Sequence, residues 1–348
     1  MKNYFFALFS LFFIFSCKKN TPSTSGNWVV ISQNLKYQKD KDYFNIKSGK
    51  FSFKIKNADL PLKKIILLNS SLLGYFEALN AENLIVGVSS PEYIFNEKIR
   101  NLVKSGAIKN VGDEQKYDIE KIISLKPDAI VTNYVPNFEN TYELLRKNHI
   151  KILFFDEYLE QNPLKKSAYI KVFGQLLGKQ KESENVFETV KNNYETLIKM
   201  AAKINNKPNV LANEMYGNQW FLPGGKSNFA QLITDANAHY IFGNNGESKA
   251  IPLSFEEVFV KSKNADYWVN VGNHLSKNEL LQINASYAKM KVFKNGEMYS
   301  ITGKIRGQSN DYFESGVVRA DLVLKDYIKI FHPKLFPKYQ LTYMKKLR

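Results

Sequence analysis

From Leu62 onward the chain alternates short apolar runs with longer amphipathic ones. KKIILLN, NLIVGVS, DAIVTNY and IKILFFD are apolar segments of strand length, and SLLGYFEALNA and ENTYELLRKNH between them repeat apolar residues at helical spacing. Continuously apolar strands alternating with helices predict a sheet covered on both faces, hence an α/β lobe. Ahead of this region, Tyr43 to Lys56 alternates apolar and polar positions around Ser48 and Gly49, the pattern of a hairpin. After Pro163 two helical segments are expected, the second from about Lys181 to Lys203 with apolar positions at Val186, Val190, Tyr194, Leu197 and Ile198. At 1.5 Å per residue it would reach roughly 35 Å, enough to join two halves of a small protein. The alternation then resumes: strand NVLANEMY, a turn at Pro223 to Gly225, helices SNFAQLITDAN and SFEEVFVKSKN, strand ADYWVNVG, helix SKNELLQIN, strand GEMYSIT, and a last helix through VVRADLVLKDYIKIFHP.

The two halves share a phrase. DIEKIISLKPDAIVTN (Asp118 to Asn133) and SFEEVFVKSKNADYWVNV (Ser254 to Val271) each give a helix N-cap residue, a glutamate, a helix, an aspartate and a strand leading to Asn; the second copy is two residues longer before its aspartate. Such a repeat implies two lobes of similar fold.

The N-terminus has a different pattern. A single positive charge at Lys2 precedes the apolar run Tyr4 to Ser16, which ends at Cys17, the chain's one cysteine. A run of about 13 residues is short of the roughly 20 a bilayer requires and suits the core of a secretion signal. Ile14, Phe15 and Ser16 before Cys17 resemble the lipobox of bacterial lipoproteins, which implies lipid attachment at Cys17; the alternative is a free thiol after an ordinary signal. With one cysteine there is no internal disulfide, so stability must come from a packed core. Residues 18–28 are polar, with Pro22 and Gly26, as in a flexible tether. The expected organisation is a lipoprotein signal peptide (1–17), a tether and hairpin (18–58), an α/β lobe (59–179), a connecting helix (180–204) and a second α/β lobe (205–348). The fold class is thus two doubly wound α/β lobes linked by one long helix, with a ligand cleft between them.

Composition narrows the function. The chain of 348 residues carries a formal charge of +16, which raises nucleic-acid binding as a possibility. Only five of its 49 basic residues are arginine, and the lysines are scattered along nearly every segment, the pattern of a solvated surface. An exported chain of this kind is not expected to bind nucleic acid. The four histidines, His149, His239, His274 and His332, are widely separated, with no pair spaced for metal ligation on one element. There is no G-x-S-x-G turn and no dinucleotide signature. Pro223 to Ser227 lacks the earlier glycine of a phosphate loop, since Trp220 stands there; its glycines are expected to turn the chain so that Ser227 or Asn228 caps a helix. No enzyme activity, cofactor or bare-metal site is expected.

Four phrases, Ala78 to Ser89, Ile119 to Asn133, Trp220 to Ala238 and Ser254 to Gly272, are in order and spacing similar to the substrate-binding proteins of ABC importers for ferric siderophores, haem and vitamin B12. The resemblance implies a monomer with two α/β lobes on one long helix, anchored on the periplasmic side of a bacterial membrane, that captures a ferric siderophore and passes it to ABC permease subunits. Haem or vitamin B12, a corrinoid, is the alternative ligand. A lipid-anchored hydrolase is a remote alternative and would need a nucleophile and base converging in the cleft.

The resemblance also implies that Glu120 and Glu256 dock on permease arginines, with Glu257 the competing choice for Glu256. Their positions near helix starts have a local reason too, since acids there favour the helix dipole, and Glu257 suits a capping box. In open α/β sheets ligands sit at the carboxyl ends of strands. That places Ser70, Ser71 and Tyr75 after IILL, Ser90 and Tyr93 after IVGV, and Asn133 and Tyr134 after AIVT among the candidates. The second half adds Tyr216 and Trp220, Asn270, Thr302 and Arg306. Trp220 is either a cleft residue, as the resemblance implies, or a core tryptophan. Arg306 either clamps a ligand anion or pairs with Asp311 or Glu314.

Overall fold

The computed structural model describes residues 27–348 apart from position 114. Cys17, the signal and most of the tether lie outside the described residues. Four antiparallel strands come first, Val29–Val30, Leu35–Lys39, Tyr43–Ser48 and Phe51–Lys56, adjacent in that order. The expected hairpin is the last pair, which turns at Gly49, whose φ of +54° favours glycine.

Two five-stranded sheets follow. In the first, all parallel, the spatial order is Lys109–Asn110, Ile85–Val88, Ile65–Leu67, Ala129–Thr132, Ile152–Phe154. In the second it is His239–Tyr240, Asn209–Ala212, Tyr267–Val269, Glu297–Ser300, all parallel, closed by Lys345–Lys346 running antiparallel. Ile65–Leu67, Ala129–Thr132 and Ile152–Phe154 are buried at every position, as expected of a sheet with layers on both sides.

The shared phrase occupies equivalent places. In each lobe its strand lies directly beside the first strand of that sheet in sequence, and the next strand in sequence lies outside it. Asp118 and Ser254 both cap their helices, accepting from the amides of Lys121 and Glu257. The two extra residues of the second copy are absorbed in the short 3-10 turn Ser262–Asn264, where the first copy passes through Lys126 in a left-handed conformation.

The connecting helix runs from Gln180 to Ala201, about 33 Å for 22 residues. Val186 packs against the cores of both lobes, while Val190, Tyr194, Leu197 and Ala201 are buried in the second. The Tyr194 hydroxyl donates to Asp235 at 2.6 Å, and Lys171 pairs with Glu184 at 2.7 Å, tying one lobe to each end. The last helix is not continuous. It divides into Ser315–Val318 and Ala320–Phe331 at Arg319, whose guanidinium grips Asp321 through two bonds of 2.8 and 2.9 Å.

Candidate functional site

Loops from the carboxyl ends of both sheets meet in a cleft of about 440 Å³. The first lobe supplies Leu68, Asn69 and Ser70 after one strand, and Ser89, Ser90 and Tyr93 after the next. The second supplies Asn273 after its central strand, Gln308 and Asn310 from the hairpin Ile305–Asn310, and Phe313. Amides and hydroxyls line the middle, and two aromatics with substantial exposure, Tyr93 at 48% and Phe313 at 51%, stand beside them. The volume lies within the range of small-ligand sites. Among the described residues no group of three or more His, Cys, Asp or Glu could hold a metal ion.

Several contacts hold the two walls together. Glu314, 1% exposed, accepts hydrogen bonds from the backbone amides of Phe95 at 2.7 Å and Asn96 at 3.0 Å in the opposite lobe. Burial pushes its carboxyl up to about 8, against those two amide bonds and with repulsion from Glu77 and Asp311. A Cβ on Gly74 would come within 2.1 Å of the Glu314 carbonyl oxygen, so only glycine permits this approach. Arg306 reaches across to Glu97 at 3.5 Å and lies 5.6 Å from the Phe95 ring centre. The segment carrying Tyr93 is therefore gripped from the other lobe within a few residues.

The sequence candidates divide. Ser70, Ser90 and Tyr93 line the cleft. Ser71 and Asn133 lie just behind it, both donating to the buried carboxylate of Glu157, at 2.7 and 2.8 Å. Tyr75 is fully buried against Phe173, its hydroxyl donating to the Lys166 carbonyl. Tyr134 packs on Phe51 of the N-terminal sheet and on Phe154, with the Lys50 ammonium 4.1 Å above its ring. Trp220 is a core residue, fully buried with Trp268 and Tyr287, its indole donating to the Ala212 carbonyl at 2.9 Å. Cleft roles for Tyr75 and Trp220 are corrected accordingly.

Tyr216 stands 83% exposed on the hairpin that carries Trp220. Asn270, with φ +57°, accepts from the Tyr327 hydroxyl, and Thr302 is buried against Ser300. Arg306 stands at the rim with Glu97 as partner; Asp311 pairs instead with Lys304 at 3.0 Å, so neither anticipated acid holds the arginine. Ser227 caps its helix as expected, and Gly224 and Gly225 admit backbone carbonyls of Glu247 and Gly243 where a Cβ would lie 2.3 and 2.1 Å away.

Glu120 and Glu256 are both exposed in the first turns of the equivalent helices. Glu257 is occupied by the capping box, accepting from the backbone and hydroxyl of Ser254, which hold its carboxyl below its ordinary value. The cleft residues missed from sequence are Leu68, Asn69, Ser89, Asn273, Gln308, Asn310 and Phe313. The polar run Gly307 to Asn310, a glycine turn carrying amides soon after a strand, was the available signal. His274, next to Asn273, is held 2.9 Å from Glu214, whose hydrogen bond raises its pKa.

Residues 65–304, well over half of the chain, match a family described as Periplasmic binding protein. An uncharacterized lipoprotein of Methanocaldococcus jannaschii is 26% identical over 297 residues, covering 82% of this chain and 68% of that protein. A possible iron-binding, periplasmic solute-binding protein of Staphylococcus epidermidis superposes with a TM-score of 0.61 at 20% identity, over 78% of this chain and 99% of that one. A periplasmic heme-binding protein of Pseudomonas aeruginosa does so with a TM-score of 0.60 at 15% identity, over 82% and 98%. At these identities the structural likeness speaks for the two-lobed fold.

Proposed function

The chain belongs to the periplasmic binding protein family, and on that premise we propose that it captures a ferric siderophore in the cleft between its lobes and delivers it to an ABC permease. The observation that carries this reading is the cleft's chemistry. Neutral amides and hydroxyls with flanking aromatics suit a large, oxygen-rich, partly apolar complex, whereas a bare ion needs converging His and carboxylate ligands. The staphylococcal neighbour, a possible iron-binding protein, agrees with it. Capture makes and breaks no covalent bond. The Ser89 hydroxyl, the sort of group a hydrolase would activate, donates to the Leu68 carbonyl.

One observation favours haem as a second reading. Tyr93 offers an exposed phenol at the cleft, and tyrosine is an established axial ligand of haem iron; the Pseudomonas neighbour is a heme-binding protein. Nothing specific supports vitamin B12. For delivery, Glu120 and Glu256 on equivalent helices would meet basic residues of two permease subunits, fixing orientation more than affinity. Anchoring through Cys17 on the periplasmic side of a membrane completes the proposal, with the lipoprotein name of the archaeal relative in support. Titrating the purified chain with ferric siderophores, haem and cobalamin while following tryptophan fluorescence tests the ligand. Saturable binding of a ferric siderophore, tighter than haem or cobalamin, is expected; binding of haem or cobalamin alone would replace the assignment.

A further inference from the structure

A second cavity of about 250 Å³ lies between the lobes, and Phe313 lines both it and the main cleft. Its apolar wall includes the rings of Phe229, Tyr312 and Phe313. Two of its polar residues have unmet hydrogen-bonding capacity. Lys166, on the short helix Pro163–Ser167, makes no side-chain hydrogen bond or ion pair within 4 Å among the described residues. Its backbone carbonyl is taken by Tyr75. The acid whose field it feels, Glu157, already accepts from Ser71 and Asn133. Loss of water pushes the Lys166 ammonium below its ordinary pKa, against the pull of that carboxylate. Also lining the cavity, Asn228 opens the helix Asn228–Asp235, and its amide nitrogen is buried with no acceptor.

A partly buried ammonium with no hydrogen-bonding partner among the described residues, lining the same cavity as a buried amide donor with no acceptor, favours an incoming acceptor. An anionic oxygen would serve both. Size limits what carries it, for a cavity of about 150 Å³ accommodates benzene, and this one is larger by roughly the volume of a carboxylate and a water. The aromatic wall favours a ring over an extended chain. We infer that this cavity is a subsite for an aromatic acid group, a ring bearing a carboxylate or phenolate oxygen, recognised by Lys166 and Asn228. The group is either an arm of the bound chelate, in which case the inference rests on the capture reading, or a free aromatic acid. Arg306, half-exposed and paired with Glu97, is then the rim cation, and Lys166 is the one that reads charge.

The full chain is titrated calorimetrically with salicylate, the iron(III) complex of salicylate, benzyl alcohol as a neutral ring, and iron(III) tris-acetohydroxamate as a ringless complex. Lys166→Met should weaken whichever form of salicylate binds by about tenfold to a hundredfold, the range for a charged hydrogen bond, and Lys166→Arg should recover most of it. Asn228→Leu should weaken it severalfold, and neither change should alter iron(III) tris-acetohydroxamate by more than about twofold. Thermal melts of each variant identify any loss of folding, and Asn228→Leu provides a second route should Lys166→Met not fold. Binding of the iron complex alone places the group on a chelate. Binding of free salicylate with no affinity for either iron complex keeps the subsite and rejects the chelate reading. Failure of both forms of salicylate to bind, or equal losses for salicylate and benzyl alcohol, overturns the inference.

Discussion

Replacing Glu314 by alanine should loosen the clamp between the lobes, and its cost can be worked from two bonds. The Phe95 and Asn96 amides, at 2.7 and 3.0 Å, lose their acceptors. A buried donor left unsatisfied costs about 1–3 kcal/mol; both residues are only partly buried, so water can reach one amide, and the expected total is about 2–4 kcal/mol. The carboxyl itself adds a pH dependence. Its folded-state value of about 8 stands above its ordinary 4.5, so between those limits the folded chain holds more protons than the unfolded one and stability falls as pH rises. That contribution is complete below about 4.5 and lost through about 8, with an upper bound of about 5 kcal/mol. Urea unfolding of the full chain at pH 5.5 and 8.5 measures both effects. Glu314→Ala should be less stable than the natural protein by about 2–4 kcal/mol at pH 5.5, and the gap should shrink by at least about 1 kcal/mol at pH 8.5. A gap below about 0.5 kcal/mol at the lower pH, or one that widens toward the higher, would refute the reasoning. Because the gripped segment carries Tyr93, the variant should also bind ligand more weakly at either pH.

Three further outcomes are expected. Reversing Glu120 and Glu256 to lysine should abolish uptake in cells while leaving the purified chain's ligand affinity within a few-fold; lost binding in solution would make these acids supports of the fold. Cys17→Ser should shift the protein out of the membrane fraction, checked by detergent partition and intact mass, and unchanged partition and mass would reject lipidation. Trp220→Ala should cost about 3–5 kcal/mol in urea unfolding, the range for removing a buried aromatic, and leave ligand specificity unaltered in the fraction that folds.

The α/β alternation was legible because strands buried on both faces must be written as unbroken apolar runs, and IILL, IVGV and AIVT each fell where a strand lies. The repeat was legible for the same reason, down to its two extra residues, which form a turn without disturbing the strand after it. Trp220 was ambiguous because one residue decides which side of a strand faces inward. In Gln219–Leu222 the even-numbered pair Trp220 and Leu222 is buried, while Gln219 and Phe221 face out. The break at Arg319 carries no proline or glycine and depends on a side-chain grip on Asp321 that periodicity does not encode. Asn273, Gln308, Asn310 and Phe313 are separated in sequence and are gathered only by the fold of the second lobe, where the Asn310 amide donates to the Asn273 side-chain oxygen at 3.0 Å. Lys166 was hidden among many lysines whose scatter reads correctly as surface, since a lysine's burial is set by what folds over it.

The proposed ligand of this cleft is a metal already wrapped in a chelator. Equilibrium dialysis of the full chain against ferric hydroxamate, catecholate and carboxylate complexes, and separately against free zinc and manganese ions, with metal and chelator both quantified, tests it directly. One iron and its chelator should be retained together per chain for at least one complex, with no retention of the bare ions. Tight retention of zinc or manganese with no chelator bound would contradict it.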